Sequence, residues 1–192
     1  MQIIYPPLSQ TEITDISEQV SAASISTASA AANIGDGISF QTQNNALNTV
    51  ITVAGLGGYV PINAVFLQIT DYVPKNFNLS IGTGIIQDVN AIAAAGILLF
   101  NISVSGEKVG GGSDDFRVAL ARDSDDDFKL ADILESQAKT RSFDGPTGNL
   151  AFSVKCSSGN NFKYKLYVAN MTGAGDFLAS SVIVHCTRVG LV

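Results

Sequence analysis

Tryptophan is absent, histidine occurs once and cysteine twice. The single histidine, His185, is the one base open to any His-dependent catalytic scheme. Its neighbours Val182, Ile183, Val184 and Cys186 place it in a late strand, where a hydrogen-bonded structural role outweighs a catalytic one. Two thiols, Cys156 and Cys186, do not make a disulfide scaffold. They lack C-x-x-C spacing, and with one histidine they fall short of a zinc shell unless carboxylates join them. Charge is scarce too: Asp, Glu, Lys and Arg form 15% of the chain, against about 25% in an ordinary soluble domain. Acids outnumber bases 17 to 11, for a formal net charge of −6. That balance argues against passive binding to nucleic acid or anionic lipid. The first basic residue is Lys75, so the basic opening of a secretory signal is lacking. The longest apolar run, residues 91–100, is short of the ~20 residues that cross a bilayer. The expectation is a soluble chain made in the cytoplasm, with no membrane insertion and reduced, buried thiols.

What is present is apolar and patterned. Hydrophobic residues make up 46% of the 192, enough for a substantial core. Residues 1–36 contain acids but no base and are rich in Ser and Ala after Ser9. Within them Ile13, Ile16, Val20, Ala23, Thr27, Ala30 and Ile34 recur at alternating steps of three and four, a heptad seam. Ser9 and Glu12 form a capping box, Leu8 and Ile13 flank it as a staple, and Gly35 supplies the stop. The spacing predicts a helix from about Gln10 to Asn33. Many of its residues are serines, poor helix formers, so the seam needs a covering partner. Ile at both seam positions favours trimers or tetramers over dimers. Three readings follow: a self-associating stem, an amphipathic helix lying on its own domain, or a disordered Ser/Ala arm. The first is taken forward, with Ile13 to Ile34 as oligomerisation residues.

From Gly37 onward the period falls to two. Candidate strands are 38–42, 47–54, 59–70, 77–81, 97–104, 116–121, 128–134, 150–155, 162–169 and 177–189, with helical turns at 88–95. In residues 162–168, Lys163 and Lys165 share one face while Phe162, Tyr164 and Leu166 share the other, as in a half-exposed antiparallel strand. Asn44–Asn45, Gly55–Gly58, Gly110–Gly112 and Gly145–Pro146 punctuate the runs. The fold class expected is all-β: an antiparallel, jelly-roll-like β-sandwich over 37–192, preceded by the N-terminal helix. Long strands with few charged gatekeepers also ask for completion by other copies.

Chemistry-bearing patterns are sparse. No G-x-S-x-G elbow is present. Gly110–Gly112 lacks the Lys-Ser/Thr of a phosphate-binding loop, and Val60 interrupts G-x-G-x-x-G after Gly55. Asp114, Asp115, Asp123, Asp125, Asp126 and Asp127 flank one strand. Carboxylates gathered at one end of a sandwich suit structural Ca²⁺, which wants six to eight oxygens; solvated loop charge is the plainer alternative. No other cofactor is expected, and no enzyme activity.

The heptad stem (Ile13 to Ile34), the charge-poor β head and the closing pair of strands resemble small bacteriophage virion proteins: trimeric head fibres, capsid decoration proteins and short tail-fibre proteins. The closing segment K-Y-K-L-Y-V-A-N … F-L-A-S-S-V-I-V-H-C-T-R-V also looks like the ends of trimeric jelly-roll heads of the tumour-necrosis-factor and C1q type. The resemblance implies a homotrimeric structural protein located in the virion, with other virion proteins as partners. The alternative is a receptor- or carbohydrate-binding module, with Tyr72, Tyr164 and Tyr167 or loop Asn and Asp residues contacting a cell-surface glycan or receptor.

Overall fold

A computed structural model describes residues 37–42, 49–63, 66–68, 76–89, 96–123, 133–135, 138–144, 148–157, 159 and 161–190. The expected stem, Gln10 to Asn33, lies outside the described residues, as do Tyr72, Asp125, Asp126 and Asp127.

The described part is all β. Its strands are β1 (Gly37–Thr42), β2 (Thr49–Ile51), β3 (Val60–Pro61), β4 (Phe66–Gln68), β5 (Phe77–Ser80), β6 (Ile85–Asp88), β7 (Ile97–Lys108), β8 (Ser113–Asp123), β9 (Lys139–Asp144), β10 (Gly148–Ser157), β11 (Lys163–Asn170) and β12 (Phe177–Gly190). They form two six-stranded antiparallel sheets. Sheet A runs β10-β7-β12-β1-β4, with β2 on the first residues of β12; sheet B runs β5-β6-β11-β8-β9, with β3 on β11. From β6 on, the chain changes sheet at every connection except the β8–β9 hairpin. This is the repeated crossing of a jelly-roll sandwich, as the period-two pattern predicts.

The sandwich follows from alternation. β10 reads buried–exposed through all its residues, with Leu150, Phe152, Val154 and Cys156 inward. β7 sends Leu98, Phe100, Ile102 and Val104 to the same core. Sheet B answers with Phe116, Val118 and Leu120 from β8 and Tyr164, Leu166 and Val168 from β11. Phe116, Phe143 and Phe177 pack with ring centroids 4.9–6.0 Å apart. Beside them Gly106 and Gly148 leave room for the rings: a Cβ on Gly106 would sit 2.5 Å from the Phe177 ring.

Several expectations are corrected. The run 59–70 is two separate short strands, β3 and β4, not one. β6 and β9 were not among the candidates. Asp88, placed in a helical turn, is the last residue of β6 and wholly buried. β11 is not half exposed: Lys165, Tyr167 and Ala169 on its outward face are buried as well. A small outer layer accounts for part of that burial, since Ala119, Ala121, Ile133 and Tyr167 cluster there with Tyr59 and Ala138.

Candidate functional site

Two features organise the surface. The first is the outer face of sheet A. Period two along β12 turns Ile183, His185 and Thr187 outward while Val182, Val184 and Cys186 go in. Register then sets Ser39 of β1 beside His185, His185 beside Asn101 of β7, and Asn101 beside Ser153 of β10. A polar row thus crosses four strands. Two bonds run along it: Ser153 Oγ donates to Asn101 Oδ1 at 2.6 Å, and His185 Nδ1 lies 2.7 Å from Ser39 Oγ. Asn149 Nδ2 adds a bond to Ser105 Oγ at 3.1 Å. A shallow trough of about 460 Å³ lies here, lined by Asn101, Ser103, Ala151, Ser153, Ile183 and His185 among others. Among the described residues, the charged side chains turned to this face are Lys155, opposite Leu99, and Glu107, toward the far end of β7.

Sheet B differs. Its outward positions hold Asp115, Arg117, Asp123, Lys163 and Lys165. Arg117 pairs with Glu135 at 3.2 Å. Burial lowers the pKa of the Lys165 ammonium.

The second feature is the pair of ends. At the entry end, where Gly37 leads into β1, Arg188 Nη2 meets Asp88 Oδ1 at 2.9 Å. The guanidinium lies 5.3 Å over the Phe77 ring. At the far end Asn170, wholly buried, stitches three loops. Its Nδ2 donates to Asp114 Oδ2 at 2.7 Å and to the Gly175 carbonyl at 2.9 Å. Its Oδ1 accepts from the Thr172 and Gly173 amides, and its carbonyl accepts from the Gly57 amide. Lys108 Nζ completes the group, 3.2 Å from Asp114 Oδ1. The Asn170 hydrogen bond, helped by Lys108, holds the Asp114 carboxyl below the usual carboxylate range.

Of the predicted metal-binding residues, Asp114, Asp115 and Asp123 are among the described residues. β8 sets Asp114 and Asp123 at opposite ends, about 30 Å apart at ~3.3 Å per residue. Asp114 is engaged with Lys108 and Asn170, and Asp115 points to the outer side of sheet B. Among the described residues no three His, Cys, Asp or Glu side chains gather as a metal shell would require. His185 is hydrogen-bonded, as expected, yet exposed. Cys156 and Cys186 are both buried thiols. β7 separates their strands β10 and β12, and Cys156 lies opposite Leu98 while Cys186 lies opposite Phe100, so they stand about 12 Å apart, beyond the ~7 Å a bridge spans. Burial pushes the Cys156 thiol up to about 11. Tyr164 cannot contact a glycan, because it is packed inside against Phe100 at 5.0 Å with its hydroxyl on the Ser157 carbonyl. Tyr167 is 9% exposed.

Sequence reasoning passed over Arg188 and Asn170. The signal was available. Arg188 is in phase with Val182, Val184 and Cys186, and Asn170 with Tyr164, Leu166 and Val168, so both had to point inward.

No protein-family model matches this chain, and no curated protein does. Among solved structures it is similar to murine APRIL, with 7% identity, 79% of this chain and 98% of that chain covered, and a TM-score of 0.49. It is similar to the Eiger TNF of S. frugiperda, with 12% identity, 82% and 95% covered and a TM-score of 0.49. The globular domain of zebrafish complement 1qA protein gives 10% identity, 82% and 99% covered and a TM-score of 0.41.

Proposed function

We propose that this chain is a self-associating structural subunit, a homotrimer whose β head is joined to a larger virion particle through its N-terminal segment. The observation that carries the reading is the division of charge between the two outer faces. Sheet B presents Asp115, Arg117, Asp123 and Lys163 on its outer side, while the centre of sheet A presents serine, asparagine, alanine and isoleucine. A subunit with one neutral side and one charged side is suited to packing by the first and facing solvent with the second. The heptad seam Ile13 to Ile34 precedes β1 and adds a second route to the same association. The resemblance of the sequence layout to phage virion proteins supports a virion as the larger assembly.

The mass in solution tests the self-association: light scattering should give three times the 20.0 kDa chain, and a monomer would overturn the reading. Replacing Ile13 and Ile16 with Asp should weaken the trimer while circular dichroism of the β head stays unchanged. Co-sedimentation with intact phage particles checks the virion location.

A second reading, a receptor- or glycan-binding module, draws on the far end. Leu56 is 69% exposed and Val109 39% exposed, on loops bonded to the 170–176 segment. A glycan array and a cell-adsorption assay separate the two, since a pure cement protein binds neither.

A further inference from the structure

The far-end mesh brings together the three groups that an exchange of amides requires: an amine, a carboxamide, and a carboxylate between them. Asn170 is wholly buried, and four hydrogen bonds fix the orientation of its side-chain amide. Its Oδ1 accepts from the Thr172 amide at 3.1 Å and from the Gly173 amide at 2.9 Å. Two N–H donors on one carbonyl oxygen polarise the carbon and stabilise an oxyanion formed there. Its Nδ2 donates to Asp114 Oδ2 at 2.7 Å and to the Gly175 carbonyl at 2.9 Å, which sets a leaving nitrogen against a carboxylate. Hydrogen bonds of this kind lie near the amide plane, off the path of attack on Cγ.

Lys108 supplies the amine. Its Nζ donates to the other oxygen of the same carboxylate, Asp114 Oδ1, at 3.2 Å. Nucleophile and leaving group thus share one carboxylate, which can take a proton from the first nitrogen and give it to the second. Two glycines let the 171–176 segment close over the pair. A Cβ on Gly175 would fall 2.5 Å from Lys108 Cε, and one on Gly173 would fall 2.6 Å from Asp114 Oδ2. The Lys108 side chain is still 27% exposed, so a product as small as ammonia has a way out.

We propose that Lys108 and Asn170 condense into an intramolecular isopeptide bond, with Asp114 as the proton carrier. The contacts above are those of the reactants. Asp114 takes a proton from the Lys108 ammonium, and the freed Nζ attacks Asn170 Cγ. The negative charge passes to Oδ1, under the Thr172 and Gly173 amides. The Asp114 carboxyl hands its proton to Nδ2, the Cγ–Nδ2 bond breaks, and ammonia departs with a second proton from Nζ as ammonium. The third proton stays on the new amide. No oxidant, reductant or further reactant enters. The product ties β7 of sheet A to β11 of sheet B. The bond forms within one copy and is independent of self-association.

Intact-mass spectrometry of the purified full chain, unfolded before measurement, tests the bond. The wild type should weigh one ammonia less than its sequence, about 17 Da, and its digest should contain a branched peptide joining residues 108 and 170. Lys108→Arg keeps the positive charge beside Asp114 but carries a guanidinium that does not give up its proton, so it should show its full sequence mass. Asp114→Asn should do the same, with circular dichroism confirming that both variants fold. A wild type of full mass overturns the proposal. A loss that persists in Lys108→Arg also overturns it, because the ammonia has then left from elsewhere, as in a succinimide at another asparagine or cyclisation of Gln2 after removal of Met1. A branched peptide that persists in Asp114→Asn keeps the bond and overturns Asp114 as its proton carrier.

Discussion

Each end of the sandwich carries an acid–base pair, and the two are built on opposite terms. Arg188 and Asp88 at the entry end are 1% and 0% exposed; Lys108 and Asp114 at the far end are 27% and 10% exposed. The first pair joins the two sheets through the core. Among the described residues, Arg188 Nε and Nη1 find no hydrogen-bond partner there. The second pair sits in a mesh of loop hydrogen bonds centred on Asn170. The difference is one of dependence. A charge buried without water relies wholly on its partner, while a charge at the rim is one contact among many and is screened.

The largest effect should come from Arg188→Ala, which leaves the buried Asp88 carboxylate without its guanidinium. A loss of about 3–5 kcal/mol is expected, read as a shift in the urea midpoint. Replacing both residues together, Arg188→Met with Asp88→Leu, should recover most of it, because desolvating the pair costs nearly what the pair returns. A double variant as unstable as the single one would show that the entry end needs the ion pair for more than charge balance.

Next is Gly106→Ala, which drives a methyl to 2.5 Å from the Phe177 ring and from the Leu178 carbonyl. Overpacking of this kind costs ~1–3 kcal/mol, and thermal melting measures it. A neutral result would mean that the far-end aromatic cluster is looser than its centroid distances suggest. Asn170→Ala should cost less than Arg188→Ala, about 1–3 kcal/mol, by stranding the amides of Thr172 and Gly173 and the Gly175 carbonyl. Its local signature should be faster hydrogen exchange in the 170–176 segment, with the entry end unaffected.

The smallest effect concerns acid. The folded state holds the Asp114 carboxyl below its unfolded value. Its contribution to stability is therefore present above the ordinary carboxylate pKa of ~3.9 and is lost as pH falls through the depressed value. Asp114→Asn should flatten that part of the melting-temperature profile in strong acid and leave the region above pH 6 unchanged. An unaltered acid profile would assign the slope to other carboxylates.

Much of the sandwich is legible in the sequence because half-buried strands print their faces as alternation. β10 and β12 are the clearest cases, with inward Val154 and Cys156, and Val184 and Cys186, set off by outward Ser153, Lys155 and His185. β9 (Lys139–Asp144) escapes because an edge strand with most of its side chains in water has little apolar signal to give. β6 escapes because Ile85–Asp88 is too short to show a period. The ends are harder still. That Arg188 points inward follows from phase, but that Asp88 waits for it is a fact of how the sheets are stacked, a hundred residues away. Of the acidic residues, Asp114 and Asp123 are near in sequence yet set apart along the straight β8, while Asp125, Asp126 and Asp127 lie outside the described residues.

The position of β12 in sheet A bears on how the molecule is made. It lies between β7 and β1 and also receives β2, yet it follows every other strand in order of synthesis. Until residue 177 and its successors leave the ribosome, β1 and β7 have no strand to join them, and each keeps a bare edge of unpaired amides and carbonyls. Sheet B and the β7–β10 pair can form earlier. A nascent chain halted before β12 is thus a half-closed sandwich with its aliphatic interior open, the species on which a chaperone would act and from which aggregates would grow.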